Sequence, residues 1–421
     1  MDNRHDRKTT LHQKKDILQE RTVAEFFAGI GLMRMGLEQE GWKAVFANDL
    51  DRDKLEMYSA HFGECSSYFL LDDIHKLNPD QIPTVTMATA SFPCNDLSLA
   101  GMRKGLHGKQ SSAYWGFVRI LEEMENRRPP IVLLENVAGF LTSHGGRDFQ
   151  AALLALNRLG YATDAFIIDA SRFVPQSRVR LFVIGVLRNG HAAWEMQDSL
   201  RFYESDVRPK ALAEFIFTHP EIVWNVRSLP PLPKGLMTLP DIIEALPDDS
   251  AFWWDDKRRD YLVNQMSEKH AKQLQQMMDA PGWSYGTVFR RIRKGRSMAE
   301  LRIDGLAGCL RTPRGGSGRQ ILVQAGHGKV KVRLLTPREC ARLMGANDFI
   351  VNVTLNKALF GFGDAVCVPV INWIAKNYLN PLLEELKNHR DMQHVRVRLV
   401  PLRNYGDHGI VNKRESIYKT I

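Results

Sequence analysis

Between residues 22 and 187, apolar strand-like runs alternate with helix-like segments, and this alternation most narrows what the chain can fold into. The strand-like runs fall at 22–27, 42–47, 68–71, 85–90, 131–134, 166–168 and 181–187. Helix-like segments at 32–40, 53–62, 114–125 and 148–159 lie among them, and Gly41 gives a stop signal after the first. Strands joined through helices cross over and pair in parallel, which predicts an α/β fold with a doubly wound, Rossmann-like sheet.

The alternation stops after Leu187. Residues 188–332 carry a proline cluster at 229–233, tryptophans at 224, 253, 254 and 283, and a basic run at 290–294. We expect a second, smaller domain there. Regular pattern returns with helix-like segments at 337–344 and 368–379, separated by Gly361-Phe362-Gly363-Asp364-Ala365-Val366. The expected organisation is a polar leader (1–20), a first domain (21–187), the smaller domain (188–332), a segment completing the first domain (333–385) and a basic tail (386–421).

A formal net charge of +9 favours a polyanionic partner, with nucleic acid foremost. The five cysteines form no CxxC pair, which argues against a zinc site and a disulfide framework and for a reducing compartment. Neither a signal-peptide core nor an apolar run of about 18 residues is present. The expected location is cytoplasmic.

The candidate chemistry gathers at strand ends. Phe27-Ala28-Gly29-Ile30-Gly31 follows the first strand, where small residues let a ligand approach the backbone. Asp49 ends the second strand, about 20 residues beyond the glycines, a position from which a carboxylate accepts from ribose hydroxyls. Asp73 and Ile74 follow a third, in reach of an adenine amino group. The full GxGxxG spacing is missing, so a single adenosine moiety fits better than a dinucleotide. The fourth run leads into Phe92-Pro93-Cys94-Asn95, a thiol behind a rigid proline, followed by a Gly/Ser/Lys-rich loop at 96–112 that reads as mobile. Glu135-Asn136-Val137 closes the fifth. Gln176, Arg178 and Arg180 alternate before the last strand and are expected to share a face.

In this order and spacing the segments resemble the DNA (cytosine-5) methyltransferase family of bacterial restriction-modification systems. The likeness covers about residues 22–187 and 333–380 and includes Leu335-Thr336-Pro337-Arg338-Glu339-Cys340 and Gly363-x-Ala365-Val366. It implies a Rossmann-like sheet that binds S-adenosyl-L-methionine, and a target-recognition domain at 188–332. The cofactor would lie against Phe27, Ala28, Gly29, Ile30, Gly31, Asp49, Leu50, Asp73, Ile74, Pro93, Asp364 and Val366. Cys94 would be the nucleophile, with Glu135, Arg178 and Arg180 around the cytosine. The implied partner is double-stranded DNA, with the protein nucleoid-associated; a cognate restriction endonuclease would share its recognition sequence, and a monomer suffices for the chemistry.

Some positions depart from the family pattern. Asn95 stands where glutamine is usual, Leu32 replaces a frequent second glycine, Leu50 an aromatic residue and Asp364 an asparagine. The segment at 311–320, with Arg311, Thr312, Arg314, Gly315, Gly316 and Arg319, is the expected DNA contact, together with Gln176 and with Arg290 and Arg291 on phosphates. Cys65, Cys309, Cys340 and Cys367 read as packing residues. A tRNA cytosine-5 methyltransferase is the nearest rival, disfavoured by the long basic 188–332 region and by the lack of Cys-Phe-Thr. A non-catalytic DNA-binding regulator is the other, and an intact Cys94, Glu135 and Arg180 argue against it.

Overall fold

The computed structural model describes residues 17–93, 113–187, 197–293, 295–312 and 318–397, with side chains of the final helix described to residue 388. The first domain is built on a seven-stranded sheet. Its strands are β1 (Thr22–Phe26), β2 (Lys43–Asp49), β3 (Phe69–Leu71), β4 (Met87–Ala90), β5 (Ile131–Val137), β6 (Tyr161–Asp169) and β7 (Val179–Leu187). The order across the sheet is β3-β2-β1-β4-β5-β7-β6.

Successive residues of each strand enter opposite cores. Val23, Met87, Ile131, Leu133, Phe182 and Ile184 join one buried cluster, and Ala24, Ala88, Val132, Leu134, Leu181 and Val183 join another. Both faces are therefore covered, as a sheet with a parallel centre requires. Helices α1 (Leu32–Glu38) and, later in the chain, α10 (Val368–Ile374) cover the first face. Helices α3 (Ala113–Glu123), α4 (Arg147–Arg158) and α5 (Lys210–Thr218) cover the second. Helix α2 (Arg52–Phe62) packs near the β2–β3 edge, where Tyr58 joins a small cluster with Ala47 and Phe69.

The sheet is not wholly parallel. β7 runs antiparallel to both β5 and β6, because the 170–178 connection is too short for a crossover and folds back as a hairpin-like turn. The reversal places the start of β7 beside the end of β5, with Arg180 opposite Val137.

The second domain contains α6 (Asp256–Val263), α7 (Glu268–Asp279) and an antiparallel sheet of β8 (Ser284–Arg293), β9 (Arg296–Arg302), β10 (Ile321–Gly326) and β11 (Lys329–Leu334), ordered β11-β10-β8-β9. Leu262, Leu274, Val288, Leu301, Ile321 and Val323 form its own core. Packing does not change at residue 188, however. Leu212, Phe215, Ile216 and Trp224 are buried in the first domain, and the Asp164 carboxylate of β6 accepts from Arg208 at 2.8 and 2.9 Å. Leu239 and Ile242 join the first domain too, so the separate core begins near residue 250. The apolar spacing of 210–224 serves a helix whose partner lies earlier in the chain.

The last segment folds as α8 (Pro337–Leu343), α9 (Leu355–Asp364), α10, a π-helical turn (Ala375–Leu379) and α11 (Asn380–Val397). The helix continues past 386, the expected start of the basic tail. The stretch Leu355–Asn388 is long and apolar enough to cross a membrane by length and composition, but 72% of its apolar 18-residue window is buried inside the protein, so its apolar residues serve the core. At the other end of the chain, Leu18 of the expected polar leader is buried in the first core.

Candidate active site

Chain order reverses between β1 and β4. The connections lead first from β1 to β2 and β3, then return to place β4 on the other side of β1. In such sheets ligands bind beyond the carboxyl ends of the strands at this switch point. A cavity of about 850 Å³ lies there, lined from β1, β2, β4, β5, the start of β7 and the end of α9.

On one side of the cavity, the turn after β1 places Phe27, Gly29 and Gly31 at φ of 55°, 58° and 83°. The Asp49 carboxylate accepts from the backbone N–H of Gly29 at 2.8 Å and of Asp51 at 2.9 Å, tying the end of β2 to this turn. Asn48 donates to the carbonyls of Leu70 and Asp72 at 2.9 and 2.8 Å, which fixes the end of β3 and brings Asp72 and Asp73 to the cavity. Phe27, Ala28, Gly29, Asp49, Leu50, Asp73 and Ile74 all line it. Leu50 is 70% exposed, an apolar side chain held at the rim. Ile30 and Gly31 do not line it. Ile30 is buried in the core, and a Cβ on Gly31 would stand 2.3 Å from the Phe62 ring, so that glycine serves the packing of α1 against α2.

At the reactive end, Pro93 lines the cavity. Cys94 lies outside the described residues. Asn136 donates to the Phe92 carbonyl at 3.0 Å and so fastens the approach to Pro93 onto β5. Glu135 is buried, and Arg180 Nε stands 3.0 Å from its Oε1. Burial pushes the Glu135 carboxyl above the ordinary range, opposed by the charges of Arg180 and Arg178 and a hydrogen bond from Ser91.

The three alternating residues leading into β7 do not act alike. Gln176 is fully buried. Its amide donates to the Leu343 carbonyl at 2.8 Å and accepts from the Leu310 N–H at 2.9 Å, so it does not reach DNA. Arg178 lines the cavity, but its terminal nitrogens are committed to the carbonyls of Leu310 at 2.8 Å, Gly363 at 3.2 Å and Ala365. It therefore joins the segments at 310 and 363–365 to the sheet, in place of the contact with base or phosphate expected of it. Of the three, Arg180 is the one that pairs with the Glu135 carboxyl.

Thr312, Asp364 and Val366 also line the cavity. A Cβ on Gly363 would stand 2.5 Å from the Thr312 nitrogen, so the glycine allows the 311–312 backbone to approach. Arg319 donates to Asn356 at 2.8 Å, Arg291 pairs with Glu300 at 3.2 Å, and the Arg311 guanidinium lies 5.9 Å from the centre of the Phe289 ring. Arg290 lies on the same strand. Arg314, Gly315, Gly316, Asn95 and the 96–112 loop lie outside the described residues.

Glu25 was not singled out from the sequence. It is 2% exposed and lines the cavity; Oε1 accepts from the Arg34 N–H at 3.2 Å, and Oε2 has no hydrogen-bond partner among the described residues. Burial raises its pKa to about 8. The available signal was a lone acid inside an apolar strand. Cys309 also differs from its reading as a packing residue. Its sulfur lies 3.3 Å from Arg178 Nη1, and although burial pushes the thiol up, Arg178 and Arg180 outweigh it and leave the pKa below the ordinary value. Cys65, Cys340 and Cys367 are buried, with pKa values raised chiefly by that burial.

Strand order, cavity and strand-end carboxylates define a Rossmann-like methyltransferase fold. The chain belongs to the C-5 cytosine-specific DNA methylase family, whose model matches residues 21–380. It is 29% identical over 358 residues to the Type II methyltransferase M.DsaV of Dactylococcopsis salina, covering 85% of each chain. It is 27% identical over 356 residues to M.HhaI of Haemophilus parahaemolyticus, covering 84% of this chain and 92% of that protein. The fold is also that of the S. pombe Dnmt2 methyltransferase crystal structure, with a TM-score of 0.54, 20% identity and coverage of 86% and 98%. The protein is a DNA cytosine-5 methyltransferase.

Proposed function

We propose that this enzyme methylates a cytosine flipped out of a specific duplex DNA sequence, through a covalent adduct with Cys94. The juxtaposition of the Glu135–Arg180 pair with Pro93 in one cavity carries the reading. The cavity fits S-adenosyl-L-methionine. Asp49 and Asp73 line it and supply acceptors for the ribose hydroxyls and the adenine amino group, and Glu25 Oε2, unpartnered among the described residues, suits the cationic end of that molecule. When bound, the cofactor supplies an electrophilic methyl group.

The chain supplies the rest. The Cys94 thiolate attacks C6 of the flipped base, which makes C5 nucleophilic. Glu135, whose carboxyl burial shifts toward the protonated form, holds the N3 edge and stabilises the ring as charge develops. Arg180 fixes the carboxyl in place. After transfer to C5, loss of the C5 proton expels Cys94. Arg311, Thr312, Arg319, Arg290 and Arg291 face the duplex, and the modification protects DNA from a restriction endonuclease of the same specificity.

Bisulfite sequencing of plasmid DNA from a methylation-free host expressing the chain tests this reading. We expect protected cytosines in one fixed sequence context, lost in Cys94→Ala. Methyl transfer by Cys94→Ala would overturn the nucleophile assignment.

A further inference from the structure

Helix α2 begins directly after the Asp49 strand end, and helix α9 ends at Asp364. Their facing ends are joined across the cavity wall by Lys54 Nζ and Asp364 Oδ2 at 2.9 Å, and both residues line the cavity. An aspartate at the last position of a helix opposes the negative end of the helix dipole and needs a nearby cation. Lys54 is that cation. Its side chain is 18% exposed, and although burial disfavours its charge, Asp49, Asp364 and Asp51 outweigh this and raise its pKa, so it stays charged. An ammonium group has three N–H donors, and Asp364 accepts one.

The other cavity cations are differently placed. Arg178 is committed to backbone carbonyls, Arg180 is paired with Glu135, and Arg52 is exposed at the start of α2. Lys54 is thus the half-buried cation beside Asp49. The second end of α9 is also fixed on α2, since Lys357 pairs with Asp53 at 3.0 Å and Glu56 at 2.8 Å. The Lys54 ammonium is therefore held by rigid elements on both sides.

We propose that Lys54 recognises the carboxylate of the cofactor's amino-acid end and that Asp364 positions it. The inference rests on the S-adenosylmethionine reading above. A carboxylate in a cavity that already holds Glu25, Asp49, Asp73 and Asp364 requires a fixed positive charge, and Lys54 supplies it.

Two ligands separate this role from a purely structural one. S-adenosylhomocysteine carries the carboxylate; 5′-methylthioadenosine keeps the adenosine and sulfur but lacks the amino-acid end. Calorimetric titration of the full-length wild type and Lys54→Met with each should show S-adenosylhomocysteine weakened about tenfold or more, the loss of one charge-assisted contact. Methylthioadenosine should bind both proteins equally, and Lys54→Arg should restore most of the loss. Lys54→Gln gives the same comparison should the methionine variant fold poorly. Equal weakening of both ligands, or of neither, overturns the proposal. Wild-type protein that binds neither ligand would instead overturn the cofactor reading beneath it.

Discussion

Asn136 on β5 donates to the backbone carbonyl of Phe92 at 3.0 Å, so the strand that carries Glu135 also fixes the chain two residues before Cys94. Glu135 and the approach to Pro93 are thereby tied to one strand. Asn136→Ala removes the donor and leaves a buried carbonyl unpaired. We expect turnover to fall about tenfold to a hundredfold through misplacement of Cys94, with cofactor binding kept. Single-turnover methylation beside cofactor titration checks this, and an unchanged rate would remove Asn136 from the positioning role.

Arg180→Met leaves the Glu135 carboxyl buried without its ion pair. Burial already raises that carboxyl, and losing the opposing guanidinium raises it further. Breaking a buried pair costs about 3–5 kcal/mol when the remaining charge is kept, and less when it is neutralised by a proton. We expect the variant to stay folded and to lose about a hundredfold or more in turnover. Wild-type turnover would show that the pair is structural only.

We expect Glu25 to make cofactor binding pH-dependent. Its pKa is raised to about 8 in the folded protein, against an ordinary value of 4.5. Between these values the unfolded chain has released the proton and the folded chain retains it, so this group's contribution to stability declines as pH rises from 4.5 to 8. A cationic ligand favours the ionised form, so its affinity should rise with pH toward 8 and then level, with a proton released on binding below that point. Calorimetry in buffers of different ionisation enthalpy measures the proton. Glu25→Gln should abolish both the slope and the release; a slope that persists would assign it to another group.

Arg178 and Gln176 hold the cavity together from within. Arg178→Met strands the carbonyls of Leu310, Gly363 and Ala365, and we expect a loss of about 3 kcal/mol or more. Gln176→Leu should lower stability by about 1–3 kcal/mol. Urea unfolding measures both. Folded Gln176→Leu should keep the wild-type affinity for DNA, since the side chain is fully buried; a large loss of DNA binding at full stability would return Gln176 to the interface.

Much of the site was legible because its residues sit at strand ends. Apolar runs mark where a strand stops, and the residue just beyond is forced to the sheet edge; Asp49, Asp73, Pro93 and Glu135 were found this way, and all line one cavity. The alternation of Gln176, Arg178 and Arg180 indicated a face and not its neighbours. What covers that face is the 309–312 and 363–365 backbone, which lies far along the chain. Lys54 escaped because one lysine in a helix has no local signature, and Glu25 because a lone acid in an apolar strand does not by itself show what it faces.

The sequence by itself determined the order of strands and helices, the doubly wound class and the strand-end carboxylates, since these follow from local periodicity and from motifs carried within short segments. Tertiary structure alone decided the reversal of β7, the return of residues 197–243 to the first core and the union of α2 with α9. Each depends on which distant surface an element buries, and burial is a property of pairs of segments that no single stretch of sequence contains.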